Sequence, residues 1–373
     1  MPKRDPHIKE YKNKRGERLF KFHLYLGLDA NGKRVNITRQ GFPSYNEAKT
    51  TYDQLRANGT QGYQKPKQIK TDEMYSLWFE NYKGQVKEST ANKTWQLYKN
   101  HIKPIFGNRF MDKIQVKAVQ KFANQKAKEI VKYKDVVRLL STLFEHAIRL
   151  GYVEQNPIRK IIMPNKTSRP RRDIEHNVYS KQELEEFLAA AKKYDITAYT
   201  YFKLLSSTGL RRSEALALTW KDIDLTKNTL SVNRTLAYGL NSKTIMQPPK
   251  SKMSKRILPI SANLHETLIN YKKSQKVIYK YLFHGANGKW CTLTKPAQWL
   301  NAIYKKNPNL RRITIHGFRH TFATLLISET NIKPKTVQML MGHEDIKMTL
   351  DIYTHLNDQN KIDATNSIRE LNI

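Results

Sequence analysis

The sequence predicts a multidomain α+β protein, mainly helical with small β-sheets. Three observations point there. Apolar residues alternate over residues 18–40, as in strands. They recur at helical spacing over 71–160. Two aperiodic stretches, 59–70 and 160–178, separate the periodic parts and read as linkers. The expected segments are therefore 1–60, 71–160 and 175–373, and a chain of 373 residues has room for them.

In the first segment Phe20, Phe22, Leu24 and Leu26 share one strand face, with Lys21, His23 and Tyr25 on the other. Asn31-Gly32 supplies a hairpin turn. Val35 and Ile37 continue the inner face, with Arg34, Asn36 and Thr38 outside. Ser44-Tyr45-Asn46-Glu47 reads as a capping box, followed by the helix stripe Tyr45, Ala48, Tyr52 and Leu55. The expected product is a three-stranded sheet with one helix. Residues 1–70 carry 16 Lys+Arg against 6 Asp+Glu, so Lys21, His23, Arg34 and Arg39 on the outer face are candidate DNA contacts. The alternative is a basic accessory domain with no such role.

The second segment shows the stripes Tyr75, Trp78, Phe79, Tyr82 and Trp95, Tyr98, Ile102, then Leu139, Leu140, Leu143, Phe144, Ala147 and Ile148, closed by Gly151. These are core positions of a helical domain. The third segment opens at Ser180, which caps a helix. It continues through a helix broken at Gly209, strand signals over 229–260, and a helix beginning at His316 with Phe322, Leu325 and Leu326 on its apolar side. Pro334 opens the next helix, and Ile346, Leu350 and Tyr353 share a face of the last.

Composition narrows the partner. Lys+Arg number 67 against 32 Asp+Glu, a net charge of +35 spread along the chain. Such a surface attracts a polyanion; charge alone leaves DNA and RNA open. One cysteine, Cys291, cannot form an internal disulfide and fits a reducing compartment. No apolar run approaches a membrane span and the start is not a signal peptide, so a cytoplasmic, nucleoid-associated location with no membrane partner is expected.

The chemistry concentrates in the third segment. His316 and Arg319 stand three apart, on one face of a helix, and Tyr353 follows ten residues beyond His343. Arg211 sits at the Gly209 break, with Glu214 one turn on to orient it. Lys252 falls in a turn between strands, with Lys250 and Lys255 as competitors. Taken singly, each has an ordinary structural explanation: a salt bridge, a solvated lysine, a cap histidine, a core tyrosine. Together, arginines, imidazoles and a phenol are what cutting a phosphodiester without a metal requires.

TGLRRSEAL, KSKMSKR, HGFRH, GHEDI and DIYTH, in that order, resemble the catalytic domain of the tyrosine recombinases, the phage-integrase family. The first 60 residues resemble the arm-binding domain of integrases from phages and conjugative transposons, and 71–160 the helical, SAM-like core-binding domain. The resemblance implies a site-specific recombinase and, residue by residue, catalytic roles for Arg211, Lys252, His316, Arg319 and His343, with Tyr353 as nucleophile. It implies no cofactor, no metal and no ATP. It further implies core-type and arm-type attachment sites on double-stranded DNA, a homotetramer, an excisionase and a host DNA-bending protein. A type IB topoisomerase and a non-catalytic DNA-binding regulator are the competing readings.

Overall fold

The structure, a computed structural model, describes residues 4–13, 16–28, 34–59, 68–165, 177–249, 251–330 and 332–352. The side chain of Lys252 lies outside that description. So do the Asn31-Gly32 turn, Lys250, Tyr353 and the middle of both expected linkers. By packing, the chain divides into two units: Met1–Trp78, Ile105–Lys126 and Tyr133–Ile162 form one, and Phe79–Pro104, Ala127–Lys132 and Met163–Ile373 the other.

The first unit opens with strands β1 (Ile8–Lys12), β2 (Arg18–Leu28) and β3 (Arg34–Phe42), antiparallel in the order β1-β2-β3, followed by helix α1 (Tyr45–Asn58). Phe22, Leu24, Leu26 and Ile37 are buried against Ala48 and Tyr52 of α1, as alternation and helix spacing require. Ser44 Oγ accepts from Glu47 N–H at 3.2 Å and caps the helix. On the outer face His23 Nδ1 and Thr38 Oγ1 meet at 2.7 Å, and Lys21 Nζ lies 5.2 Å from the Tyr11 ring centre.

Arg39 departs from expectation. It pairs with the buried Phe22 and has the same pleat parity as Ile37, so it stems from the helix-side face rather than beside Lys21 and His23. A two-residue period cannot put residues 37 and 39 on opposite sides. Its side chain is nonetheless exposed.

Helices α2 (Thr71–Gln85), α3 (Glu88–Leu97), α4 (Lys103–Phe106), α5 (Val116–Glu129) and α6 (Tyr133–Arg149) follow, of which α3 belongs to the second unit. The predicted stripe of α6 is buried at Leu139, Leu140, Leu143, Phe144 and Ala147. Gly151 then takes φ +73, and Tyr152 N–H bonds back to Ala147 O at 2.9 Å, closing the helix end.

In the second unit α7 (Lys181–Tyr194) starts from a complete capping box, Ser180 with Glu183. Next come α8 (Ile196–Thr208), α9 (Arg212–Ala215), β4 (Ile223–Asp224), β5 (Thr229–Val232), β6 (Thr235–Tyr238), β7 (Thr244–Gln247) and β8 (Arg256–Pro259). Helices α10 (Ala262–Ser274), α11 (Lys295–Lys306), α12 (Ile315–Ser328) and α13 (Pro334–Met341) complete it. The strands form an antiparallel sheet β4-β5-β8 and a separate hairpin β6-β7. That hairpin was not foreseen between the two expected strands. Its residues are all half-buried or exposed except Leu236, so alternation is faint.

Helix α8 packs against α7, α10, α11 and α12. Phe187, Phe202 and Phe318 meet at ring-centre distances of 4.9–5.2 Å and are fully buried. Truncating such a residue costs on the order of 3–5 kcal/mol. The core matters to function because Phe318 stands directly before Arg319 on α12: the packing that holds the ring also aims the guanidinium.

Candidate active site

Four segments deliver the site. Helix α8 ends at Gly209 in the left-handed conformation, φ +62, and the chain turns through Arg211 into α9. A Cβ on Gly209 would come within 2.5 Å of the Phe322 ring and 2.8 Å of Met341 Sδ, so only glycine fits. Helix α12, capped by Thr314, carries His316 and Arg319. Helix α13 ends at Gly342, φ +61, and delivers His343. A 3-10 turn over Lys252–Ser254 precedes β8.

The two arginines are drawn together by one helix end. Arg319 Nη2 donates to Met341 O at 2.5 Å, and Arg211 Nη2 to the next carbonyl, Gly342 O, at 2.9 Å. Arg319 Nη1 also bonds Gly209 O at 2.5 Å. The last carbonyls of a helix lack intrahelical partners and carry the negative end of its dipole, so both guanidinium groups serve as caps. Glu214 fixes Arg211 further: Oε1 accepts from Nη1 at 2.7 Å and Oε2 from the backbone N–H at 3.0 Å.

Arg256 was missed by sequence reasoning. Its side chain is 6% exposed. It donates to Glu214 Oε2 at 3.1 Å, to Leu340 O at 2.7 Å and to Ser254 O at 3.0 Å. An arginine in a lysine-rich hairpin carries no sequence mark that distinguishes it from solvated neighbours. Two guanidinium groups, those of Arg211 and Arg256, thus share one carboxylate, and a third, that of Arg319, is capped on carbonyls. Burial works against charge on Glu214, but Arg256 and Arg211 outweigh it and hold its carboxyl below the usual range. The surplus of positive charge suits an anion.

The arginines differ in access. Arg211 has a side chain 33% exposed beside a pocket of about 460 Å³ between Leu210–Ser213 and Thr314–His316. Arg319 is 2% exposed and committed to carbonyls, and burial followed by Arg211 lowers its pKa to about 9, which still leaves it charged at neutral pH. Arg211 is therefore the more open guanidinium and Arg319 the buried one.

His343 is 4% exposed, and Thr349 Oγ1 holds its Nδ1 at 3.0 Å. When Thr349 donates there, the ring proton sits on Nε2, where it can serve an acceptor. Burial, then Arg319 and Arg211, lower the His343 pKa to about 3. His316 stands edge-on to His320 at 4.6 Å, and burial of its inner side, then His320 and Arg319, lower its pKa to about 4. His316 is an exposed residue, so solvent screens part of that effect. Both imidazoles are neutral at pH 7.

Their ordinary pKa is 6.5, so the unfolded chain takes up these protons first as pH falls. The associated stability is complete above pH 6.5 and is lost on acidification toward pH 4 and 3. Melting temperature should therefore drop across that window, and His343→Asn should flatten the drop. An unchanged slope in that variant would count against a buried neutral imidazole.

Residues 347–352 are helical, with Thr349 and Ile352 buried and Leu350 43% exposed. The face expected to hold Ile346, Leu350 and Tyr353 is thus not the core face up to Leu350. Tyr353 itself lies outside the described residues, as do Lys250 and the Lys252 side chain.

Paired cations, a carboxylate clamp and neutral imidazoles thus gather in one place on a mainly helical scaffold. Comparison with known proteins specifies the family. Residues 177–360 match the phage integrase family, and 72–127 match the phage integrase N-terminal SAM-like domain. A XerC-like tyrosine recombinase of Caldanaerobacter subterraneus is 29% identical over 96% of this chain and 97% of its own length. The transposase of transposon Tn916 from Enterococcus faecalis is 26% identical, over 67% of this chain and 65% of its own. Among solved structures, the Tn1549 transposon integrase with circular-intermediate DNA has a TM-score of 0.61 at 21% identity, covering 76% of this chain and 94% of that one. A lambda integrase dimer bound to a core site has a TM-score of 0.59 at 17% identity, covering 93% and 94%. The chain belongs to the phage integrase family of tyrosine recombinases. It is a site-specific DNA recombinase of the phage and conjugative-transposon type that acts in integration.

Proposed function

We propose that Tyr353 attacks a DNA phosphate held at Arg211, forming a 3′-phosphotyrosyl bond and releasing a 5′-hydroxyl. A partner strand's 5′-hydroxyl reverses the step, so the bond's energy is retained and no ATP is consumed. The observation that supports this most is the pair of guanidinium groups on the consecutive carbonyls Met341 and Gly342, with Glu214 clamping that of Arg211. They would balance the charge that grows on the non-bridging oxygens.

Deprotonating a tyrosine of pKa about 10 costs about 4 kcal/mol at pH 7. The surplus positive charge offsets part of this. His316, neutral in the free protein, is a fit proton acceptor, and a bound phosphate would raise its basicity. Lys252 is the proton donor to the leaving 5′-oxygen, and His343 bonds a phosphate oxygen through Nε2.

The three segments 1–60, 71–160 and 175–373 divide the work in this reading: arm-type site, core-type site and catalysis. Lys21, His23 and Arg34 of the first sheet contact the arm-type DNA, with Arg39 reaching it from the sheet margin. A lambda integrase tetramer on a Holliday junction has a TM-score of 0.57 to this chain, and four protomers on two duplexes are proposed here too. An excisionase and a host bending protein would set direction, and excision would use the same chemistry. The experiment that tests the function is trapping of a covalent complex on a nicked substrate carrying the attachment site; absence of any adduct would refute it. A net charge of +35 also predicts steep salt dependence, with log affinity falling linearly in log salt at a slope of about −0.9 per phosphate neutralised. A flat plot would sink the duplex-cradling model.

A further inference from the structure

The first turn of α3 is bonded to the hairpin β6-β7 and to the segment that follows it. Lys87 Nζ donates to Pro249 O at 2.7 Å and to Pro248 O at 3.5 Å. Leu240 N–H donates to Glu88 Oε1 at 2.9 Å. Gln247 Nε2 donates to Ser89 Oγ at 3.1 Å, and the buried Asn92 donates to Tyr238 O at 3.4 Å. One helix turn therefore grips both strands of the hairpin and the two prolines that lead toward the Lys252 turn.

Gly239 is independent support. Its φ is −82, so the backbone conformation does not call for glycine. A Cβ there would collide with the Glu88 carboxylate. The missing side chain makes room for the contact.

Resting on the assignment of Lys252 as proton donor, we propose that the first turn of α3 is a positioning brace for the Lys252 turn. A two-stranded hairpin is marginal without external support, and β6-β7 forms no larger sheet. The rings of Pro248 and Pro249 fix their own φ, so the anchored carbonyl lies on a restricted backbone three positions before Lys252. The charged donor strengthens that anchor. Helix α3 lies inside the segment matching the SAM-like domain, so the part of the chain assigned to the core-type site also sets the acid.

The test uses the full chain with Gly239→Ala and the exposed Lys87→Met, the second guarding against misfolding of the first. Cleavage is followed in single turnover at saturating DNA, on an ordinary site and on one with sulfur replacing the 5′-bridging oxygen. A thiolate leaves without needing a proton, and Lys252→Ala is the reference. A lost general acid costs about 10²–10⁴-fold and a small misplacement up to about 10²-fold, so the brace variants should slow at least about tenfold on oxygen, with affinity nearly unchanged. On sulfur they should match the unaltered protein. Normal rates on oxygen in both variants would overturn the brace. So would a defect that persists on sulfur while Lys252→Ala recovers there. If Lys252→Ala fails to recover on sulfur, the acid assignment itself is wrong and the brace falls with it.

Discussion

Tyr353→Phe is expected to abolish the covalent protein–DNA adduct while leaving affinity for the attachment site unchanged. The variant keeps the ring and removes only the oxygen that would bond to phosphorus. Among the described residues of the site, His343 is buried with its Nδ1 on Thr349, and Glu214 is held by two arginines, so neither is placed to attack in its stead. The loss should therefore reach the background of the assay instead of a partial rate. The measurement is denaturing electrophoresis of a labelled nicked substrate, beside a titration of binding. A denaturation-resistant band in the variant would move the nucleophile elsewhere. Binding lost in parallel with the adduct would make the residue structural.

The second large effect separates two arginines that the motif treats alike. Arg211→Ala should cut cleavage by on the order of 10²–10³-fold and lower the melting temperature less than Arg319→Ala does, because it orphans one carbonyl, Gly342 O, and leaves Glu214 paired with Arg256. Arg319→Ala should cut cleavage at least as much and also destabilise the fold. It strips the caps from Gly209 O and Met341 O, both in buried residues. Two orphaned carbonyls at about 1–3 kcal/mol each give a loss of roughly 2–6 kcal/mol. Thermal unfolding and single-turnover cleavage, read together, check this. Equal melting temperatures for the two variants would show that the carbonyl contacts of Arg319 carry no stability.

The elements that could be read in advance were those whose period survives packing. The α6 stripe, the α1 stripe and the Phe20–Leu26 alternation each report one buried face, and each was found buried or half-buried. Caps were legible for the same local reason: Ser44 and Ser180 bond N–H groups three residues away. The hairpin β6-β7 was not, because its burial comes from partners distant in sequence, such as Glu88 and Asn92. Arg39 was placed on the wrong face where charge was allowed to outweigh pleat parity.

For the site, the order of the motifs and the family resemblance they carry singled out Arg211, His316, Arg319 and His343, each of which has an ordinary structural explanation when taken alone. Local sequence could also pair Arg211 with Glu214, one helical turn apart. What it could not reveal was which guanidinium faces outward, that Arg256 shares the same carboxylate, or that Met341 and Gly342 hold the pair side by side. Those facts depend on α12, α13 and β8 meeting at the end of α8. Burial and hydrogen bonding between residues more than a hundred positions apart leave no periodic trace in a linear chain, so they become visible when the chain is folded.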